Sequence, residues 1–474
     1  MQDAAYGTLL REPRRALHGR IAETLESQFT EIAENQPELL ARHCTEAGLI
    51  EEAVGLWGTA GQRSLECSAL REAAVQFTQA LGLIAALPPT PVLRREQIKH
   101  QLALIRPLGL IKGFAAPETK AAVEQARLLI EQADALGEHP DDLLRFSALS
   151  ASWGLATLAF NGDVSRILAE QFLLLAKRRA ATVPLVRAHV MMGQTLLYAG
   201  EIAEAVTHFD KGLALYDPAD QGPLRVLAAG DARVQLLGFG SWAAWILGYP
   251  EVALVDADQS VKFAREIGDV GSLMLGLACA AAAHSLLRNH ATTNTLSDEL
   301  IALADEKSAL YWKALGMTAK ACMLAVSGKS SDAVHMLNSG FAAFRSTATT
   351  LYVPFFSMYL AVAYAELNEL DNAWRCINET IAAIDGTKER WCEAEVNRIA
   401  GEIALKSPEL DTAKAEEYFE HALAVARQQQ AKSWELRAAM SMARLWRDQG
   451  KRDEARNLLA PATAGSLKGS TRSI

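Results

Sequence analysis

Several features that would mark an enzyme, a membrane protein or a nucleic-acid binder are scarce in this 474-residue sequence. Its six cysteines, Cys44, Cys67, Cys279, Cys322, Cys376 and Cys392, form no C-x-x-C pair. In so long a chain they read as reduced thiols of a cytoplasmic protein, or simply as small core residues. The ten histidines are scattered singly or as His284/His290, and H-E-x-x-H does not occur. No metal site and no cofactor are expected on that ground. There is no G-x-S-x-G elbow either. Basic charge is in deficit: the formal net charge is −9 and the sequence pI near 5.7. That speaks against nucleic-acid binding, which needs a basic face. The local clusters Arg11-Glu12-Pro13-Arg14-Arg15 and Lys177-Arg178-Arg179 read as solvated helix faces.

Long apolar runs are few, and alternating strand patterns are missing. Val234–Pro250 carries three glycines and Gln235, Val270–Leu287 carries His284, and Ser346–Ala365 is interrupted by Pro354. A membrane span needs about 20 predominantly apolar residues. Each run fits better as a buried helix. Met1-Gln2-Asp3-Ala4-Ala5 has neither a basic start nor an apolar run, so no signal peptide is expected. Two short motifs are decoys. Gly328-Lys329-Ser330 has Met323 where a phosphate loop needs its first glycine. Gly238-x-Gly240-x-x-Ala243 has no strand–turn–helix context and reads as small-residue packing between helices.

What is present is a repeat. A turn residue is followed five positions on by alanine at Gly48/Ala53, Ser68/Ala73, Gly200/Ala205, Gly248/Ala253, Gly328/Ala333, Asn368/Ala373 and Gly450/Ala455. Ala333 and Ala373 are 40 residues apart, Ala253 and Ala333 80, Ala373 and Ala455 82. Glycine or asparagine can take the left-handed conformation that ends a helix. Alanine then sits in the first turn of the next helix, where a larger side chain would push the pair apart. Each unit is a helix hairpin that cannot bury its apolar face alone, so neighbours must stack.

The clearest unit runs Val186–Pro218, with Gly193 inside its first helix, Gly200 at the turn, then Ala205, Phe209 and Pro218. Trp57, Phe77, Leu337, Ile377, Phe419 and Leu459 occupy the bulky second-helix position elsewhere. This pattern resembles the tetratricopeptide (TPR) repeat. The period near 40 residues resembles the longer TPR-like units of bacterial regulators of the MalT type. The resemblance implies an all-α fold: a TPR-like α-solenoid, a right-handed superhelix of helix hairpins.

Taken in order, Ala16–Ile32 has one apolar stripe at helical spacing, and Pro37 opens a helix ending at Gly48. Pro88-Pro89-Thr90-Pro91 is the strongest punctuation. Helices are expected at Arg94–Leu110, Pro117–Leu136 and Leu143–Phe160, the last capped by Asp141-Asp142. Four segments follow: N-terminal repeats at 1–87, divergent hairpins at 88–183, a regular array at 184–461 and a disordered tail at 462–474. Loops interrupt the array at Asp217–Pro223 and Lys406–Thr412.

Two further stretches resemble a specific family. Gln2-Asp3-Ala4-Ala5-Tyr6-Gly7-Thr8-Leu9-Leu10, Arg14-Arg15-Ala16-Leu17-His18 and Glu38-Leu39-Leu40-Ala41-Arg42-His43 are similar to a junction in bacterial multidomain signalling proteins. Those proteins join a class III adenylate/guanylate cyclase domain, an AAA-type predicted ATPase and a C-terminal TPR region. Ala443-Arg444-Leu445-Trp446-Arg447-Asp448-Gln449-Gly450-Lys451-Arg452 with Ala455–Pro461 resembles their last repeat. The resemblance implies a regulatory array. The family's cyclase and ATPase domains are absent from the sequence, so no enzymatic activity is expected of it.

The expected function is therefore protein or peptide binding on the concave face, through a groove that is extended and shallow. A cyclase or ATPase polypeptide is one partner the family suggests; neither a nucleic acid nor a membrane is expected as one. In the last two units the repeat pattern places Arg398, Arg437 and Arg444 on the concave face. Three guanidinium groups suit a carboxylate-bearing or acidic segment through bidentate hydrogen bonds. They suit ion pairs with Glu402 or Glu435 equally well, or plain solvation. Trp242, Trp245, Trp312, Trp391 and Trp446 read as core. The alternative is an effector-sensing array of an ATPase-type transcription regulator, binding a small molecule within the superhelix.

Overall fold

The structure is a computed structural model that describes residues 11–220, 230–407 and 411–466. The described residues form 23 α-helices and one short 3₁₀ turn, with no strand among them. In chain order the helices are α1 (Arg11–Gln28), α2 (Thr30–Asn35), α3 (Pro37–Ala47), α4 (Ile50–Glu66), α5 (Leu70–Ala85), α6 (Pro91–Lys112), α7 (Pro117–Ala135) and α8 (Asp142–Leu158). Then come α9 (Gly162–Arg179), α10 (Thr182–Ala199), α11 (Ile202–Leu215), α12 (Ala232–Ile246), α13 (Pro250–Ile267), α14 (Val270–Leu286), α15 (His290–Glu306) and α16 (Leu310–Val326). The last are α17 (Ser330–Ser346), α18 (Val353–Glu366), α19 (Leu370–Thr387), α20 (Glu393–Ala404), α21 (Thr412–Gln428), α22 (Lys432–Asp448) and α23 (Arg452–Ser466). The chain divides into two compact units. One comprises Met1–Ile111 with Glu118–Ala148, the other Lys112–Pro117 with Leu149–Ile474.

The repeat mechanism is visible at every step. Gly48, Ser68, Gly200, Gly248, Gly328, Asn368 and Gly450 all have positive φ. Their alanines are fully buried from Ala53 to Ala373, and Ala455 nearly so. The structure supplies a member hidden in the sequence. Arg288 (φ 60) takes the left-handed position and Thr293, fully buried, takes the alanine's place. Thr293 falls midway between Ala253 and Ala333, completing the 40-residue step. Glycine has a second use inside three helices. The rings of Phe77, Phe209 and Phe419 lie against Gly61, Gly193 and Gly401, where any Cβ would overlap them. Small and large residues thus interlock across each hairpin.

Helix caps follow the expected chemistry. Asp141 accepts from the Leu144 N–H at 3.0 Å, and Asn161 from the Val164 N–H at 3.1 Å. The apolar stripe over Ala16–Ile32 is split between α1 and the short α2. Residues 462–466, expected in the tail, belong instead to α23, which continues to Ser466; Ala462 and Ala464 favour helix. Residues 467–474 lie outside the described residues, as do parts of the two expected interruptions, at 221–229 and 408–410. The three uncharged runs become α12, α14 and, after a short loop, α18. No helix among the described residues is long and apolar enough to cross a membrane.

In the larger unit the inner helices close on one another. The last turns of α8, α10, α12 and α14 leave carbonyl groups without a helical partner. Donors far along the chain satisfy them. Leu158 O accepts from Thr350 N at 2.9 Å and Leu351 N at 3.1 Å; Tyr198 O accepts from Arg390 N at 2.8 Å. Trp245 O accepts from Ser433 Oγ, and Leu286 O from Arg437 Nη2 at 3.0 Å. These contacts lay α18, α20 and α22 over the inner faces of α8–α14. Hence Val186–Tyr198 and Val234–Ile246 are buried throughout, and these helices carry apolar residues on all sides. A long open concave groove does not run along this part of the array.

A buried aromatic cluster marks the seam. Tyr198 Oη and Tyr352 Oη are 2.6 Å apart, and the Trp242, Phe355 and Trp391 rings pack beside them. Glu389, with no exposure, lies among them. Its carboxyl accepts from the Tyr352 N–H at 3.1 Å and from Trp391 Nε1 at 3.0 Å. Burial with no cation beside it pushes its pKa up to about 8.

Candidate binding cleft

The inner face stays open further on. Four successive inner helices line a cleft of about 410 Å³. Arg288 follows α14; Ala325, Val326 and Gly328 end α16; Met358, Tyr359, Val362, Ala365 and Glu366 come from α18. Glu395, Arg398, Ile399, Glu402, Ile403 and Lys406 come from α20 and its end. The α20 residues recur at three- and four-residue steps, which puts them on one helix face. The cleft is bounded, unlike the extended shallow groove that stacked hairpins suggest, because the seam fills the neighbouring stretch.

Glu395, Arg398 and Glu402 of one wall belong to a charge network that also takes in Arg437 and Arg444, which do not line the cleft. Glu395, 2 % exposed, receives Arg398 in a bidentate pair, with both hydrogen bonds 2.8 Å long. Arg437 Nη1 reaches the same carboxylate at 3.0 Å. The Arg437 guanidinium sits beside the Trp245–Trp434 pair, 5.0 and 5.1 Å from their ring centres. Burial alone would raise the Glu395 pKa; Arg398 and Arg437 instead bring it down to about 2. The same pairing raises that of Arg398 against its own burial. Glu402 accepts from Ser441 Oγ at 2.6 Å, Arg444 Nη2 at 3.0 Å and Arg398 Nη1 at 3.3 Å. Glu435 takes no part; it pairs with Lys432 and Arg427.

The structure therefore gathers Arg398, Arg437 and Arg444 into one network and gives them different situations. Arg398 and Arg437 are held by Glu395. Arg444 keeps more than half of its side chain exposed. Trp242, Trp245, Trp312 and Trp391 are buried, and Trp446 is partly buried with its Nε1 on Glu416 at 2.7 Å.

Two groups in the cleft escaped the sequence reading. The Arg288 guanidinium is exposed and has no carboxylate within ion-pair distance among the described residues, unlike Arg398 and Lys406, the latter 2.9 Å from Glu366. Tyr359, 3 % exposed, has a buried hydroxyl with no hydrogen-bond partner among the described residues. Arg288 was hidden because it fills a turn position that glycine usually marks. Tyr359 was hidden inside a run that reads simply as apolar helix. No group of three or more metal-binding side chains occurs among the described residues.

Comparison with known proteins places the fold. No protein-family model matches the chain. An uncharacterised protein of Rhizobium meliloti (strain 1021) is 25 % identical over 277 residues, covering 57 % of this chain. The chain spans about a quarter of that relative's length, 26 %. Among solved structures, a Rap protein complexed with competence and sporulation factor superposes with a TM-score of 0.55 at 12 % identity, covering 79 % of this chain and 98 % of its own. The Cut9–Hcn1 hetero-tetramer of the APC/C superposes with a TM-score of 0.53 at 12 % identity, covering 98 % of this chain and 88 % of that one. At such identities the likeness shows the fold alone. The chain is an all-α, TPR-like α-solenoid.

Proposed function

We propose that the chain is a non-catalytic, partner-binding regulatory array of a cyclase–ATPase type signalling system. The observation that carries the reading is the open stretch of inner face on α16, α18 and α20, in a fold shared with proteins solved as complexes. Within the arginine network, Arg444 is the group that meets an acidic partner segment. Arg398 and Arg437 hold the wall that presents it, since removing either leaves Glu395 buried with its charge less compensated. An affinity capture from native lysate tests this, with the chain run beside an Arg444→Ala variant. Enrichment of a cyclase or ATPase polypeptide, reduced in the variant, is expected. Equal enrichment by both sinks the arginine contact, and the lack of any such polypeptide sinks the partner reading. A second reading, an array that senses a small effector for an ATPase-type transcription regulator, is favoured by one observation: the cleft sets an apolar stretch, Met358, Val362, Ile399 and Ile403, beside charged groups.

A further inference from the structure

We infer that the cleft between α16, α18 and α20 binds a small amphipathic carboxylic acid, its carboxylate held by Arg288 and the Tyr359 hydroxyl and its apolar body laid along Met358, Val362, Ile399 and Ile403. The inference rests on the effector reading and not on capture of a partner segment. It starts from the charges. The lining holds three cations, Arg288, Arg398 and Lys406, and three anions, Glu366, Glu395 and Glu402. Arg398 is committed to Glu395 and Glu402, and Lys406 to Glu366. Arg288 helps to stabilise the Glu395 charge from a longer range, but it stands in no ion pair among the described residues.

The second observation is the orphan hydroxyl. A buried O–H without a partner costs folding free energy unless something completes it. Tyr359 sits within the field of Arg288, which acts on its hydroxyl along with Arg437 and Glu395. A carboxylate beside Arg288 accepts from both groups: the guanidinium donates N–H bonds, and the phenol donates its O–H. A neutral head group would leave the guanidinium uncompensated, and a cation would be repelled by it.

The rest of the wall decides what is attached to the carboxylate. Apart from Tyr359 and the charged residues, the lining is Ala325, Val326, Gly328 and aliphatic or thioether side chains. It contains no Asn, Gln, Ser or Thr. A peptide backbone entering here would lose water from several N–H and C=O groups and find the Tyr359 hydroxyl as the one neutral polar side chain of the lining. A hydrocarbon body carries no such groups. The cleft is thus suited to a ligand with one polar head, and its bounded volume of about 410 Å³ suits a small one.

The test uses the full chain and four probes followed by calorimetry: hexanoate, hexanamide, acetate and a tetrapeptide with a free C-terminal leucine. Hexanoate is expected to bind at least about tenfold more tightly than hexanamide or acetate, because a charge-assisted pair and an apolar body act together. Arg288→Gln is expected to cost about tenfold in hexanoate affinity, and Tyr359→Phe about threefold to tenfold. Both variants leave folding intact on physical grounds, since one side chain is exposed and the other loses only an unpartnered hydroxyl; circular dichroism checks this. Equal binding of hexanamide, or of hexanoate by Arg288→Gln, overturns the carboxylate chemistry while an effector cleft stands. Binding of the tetrapeptide without hexanoate overturns the effector reading itself and returns the cleft to the partner segment. No binding by any probe at millimolar concentration overturns the inference.

Discussion

Glu389 is a carboxyl sealed in an aromatic seam, and replacing it with glutamine tests how the seam is held. The side chain accepts from Trp391 Nε1 through Oε1 and from the Tyr352 N–H through Oε1 at 3.1 Å and Oε2 at 3.3 Å, so Oε1 serves both donors. A glutamine oxygen can keep both. What changes is titration. In the unfolded chain the carboxyl ionises near its ordinary pKa, between 4 and 5. In the folded chain burial holds it neutral up to about pH 8. The folded state thus keeps a proton that the unfolded state has lost, and stability falls as pH rises between those values. At about 1.4 kcal/mol per pH unit, the interval from pH 5.5 to 8 removes about 3 kcal/mol. The Glu389→Gln variant has no such proton, so its stability profile is flatter by that amount. Urea unfolding followed by tryptophan fluorescence reads this directly, because Trp391 and Trp242 stack in the seam. A solenoid can unfold in parts, so the comparison is the difference between the two proteins at each pH rather than either absolute value. Other titrating groups cancel in that difference. The variant should gain on the wild type by about 3 kcal/mol between pH 5.5 and 8. Parallel profiles would refute the reasoning and show that the carboxyl reaches water or a cation.

Two other perturbations bear on the array itself. Gly193→Ala puts a methyl group into the ring of Phe209, so a loss of about 1–3 kcal/mol is expected in the same unfolding assay. The same change at Gly82, inside α5 with nothing within 4 Å, should instead stabilise by up to about 1 kcal/mol and serves as the control. The second concerns His189 and His208, whose Nδ1 atoms are 3.0 Å apart across the α10–α11 hairpin. Only one of the two can carry the hydrogen between them. Burial first, then the neighbouring His208, Lys211 and Lys177, push the His189 pKa down to about 4. The unfolded chain takes up a proton that the hairpin refuses, so stability present above pH 6.5 is lost as pH falls towards 4. A His189→Gln variant should lose less on acidification, read as a smaller drop in melting temperature between pH 7 and 5; an equal drop would sink the shared-hydrogen argument.

How much of this was legible beforehand depends on the range of the interaction. Helix hairpins are local objects. A left-handed turn residue, a small residue five positions later and an apolar helix period are all written within a few dozen residues. Gly200, Ala205 and Phe209 therefore announce their unit in the sequence, and Gly193 announces the ring that lies against it. Arg288 and Thr293 perform the same two tasks with atypical residues, and the unit they begin was invisible for that reason. The sequence also brought Arg398, Arg437 and Arg444 to notice, because the repeat places them on the concave face of the last two units.

Their situation was decided by tertiary structure. Arg437 donates to Leu286 O, 151 residues away, and shares Glu395 with Arg398 across two helices. Neither partner is deducible from a 40-residue period. The same holds for the seam, whose hydrogen bonds join residues as far apart as Trp245 and Ser433. A repeat specifies how each hairpin meets the next, but whether inner helices far apart in sequence then touch depends on small rotations accumulated over several units. That accumulation closes the inner face over α10, α12 and α14, leaves it open beside α18 and α20, and puts at the same opening a guanidinium and a hydroxyl that find no ion pair and no hydrogen bond among the described residues.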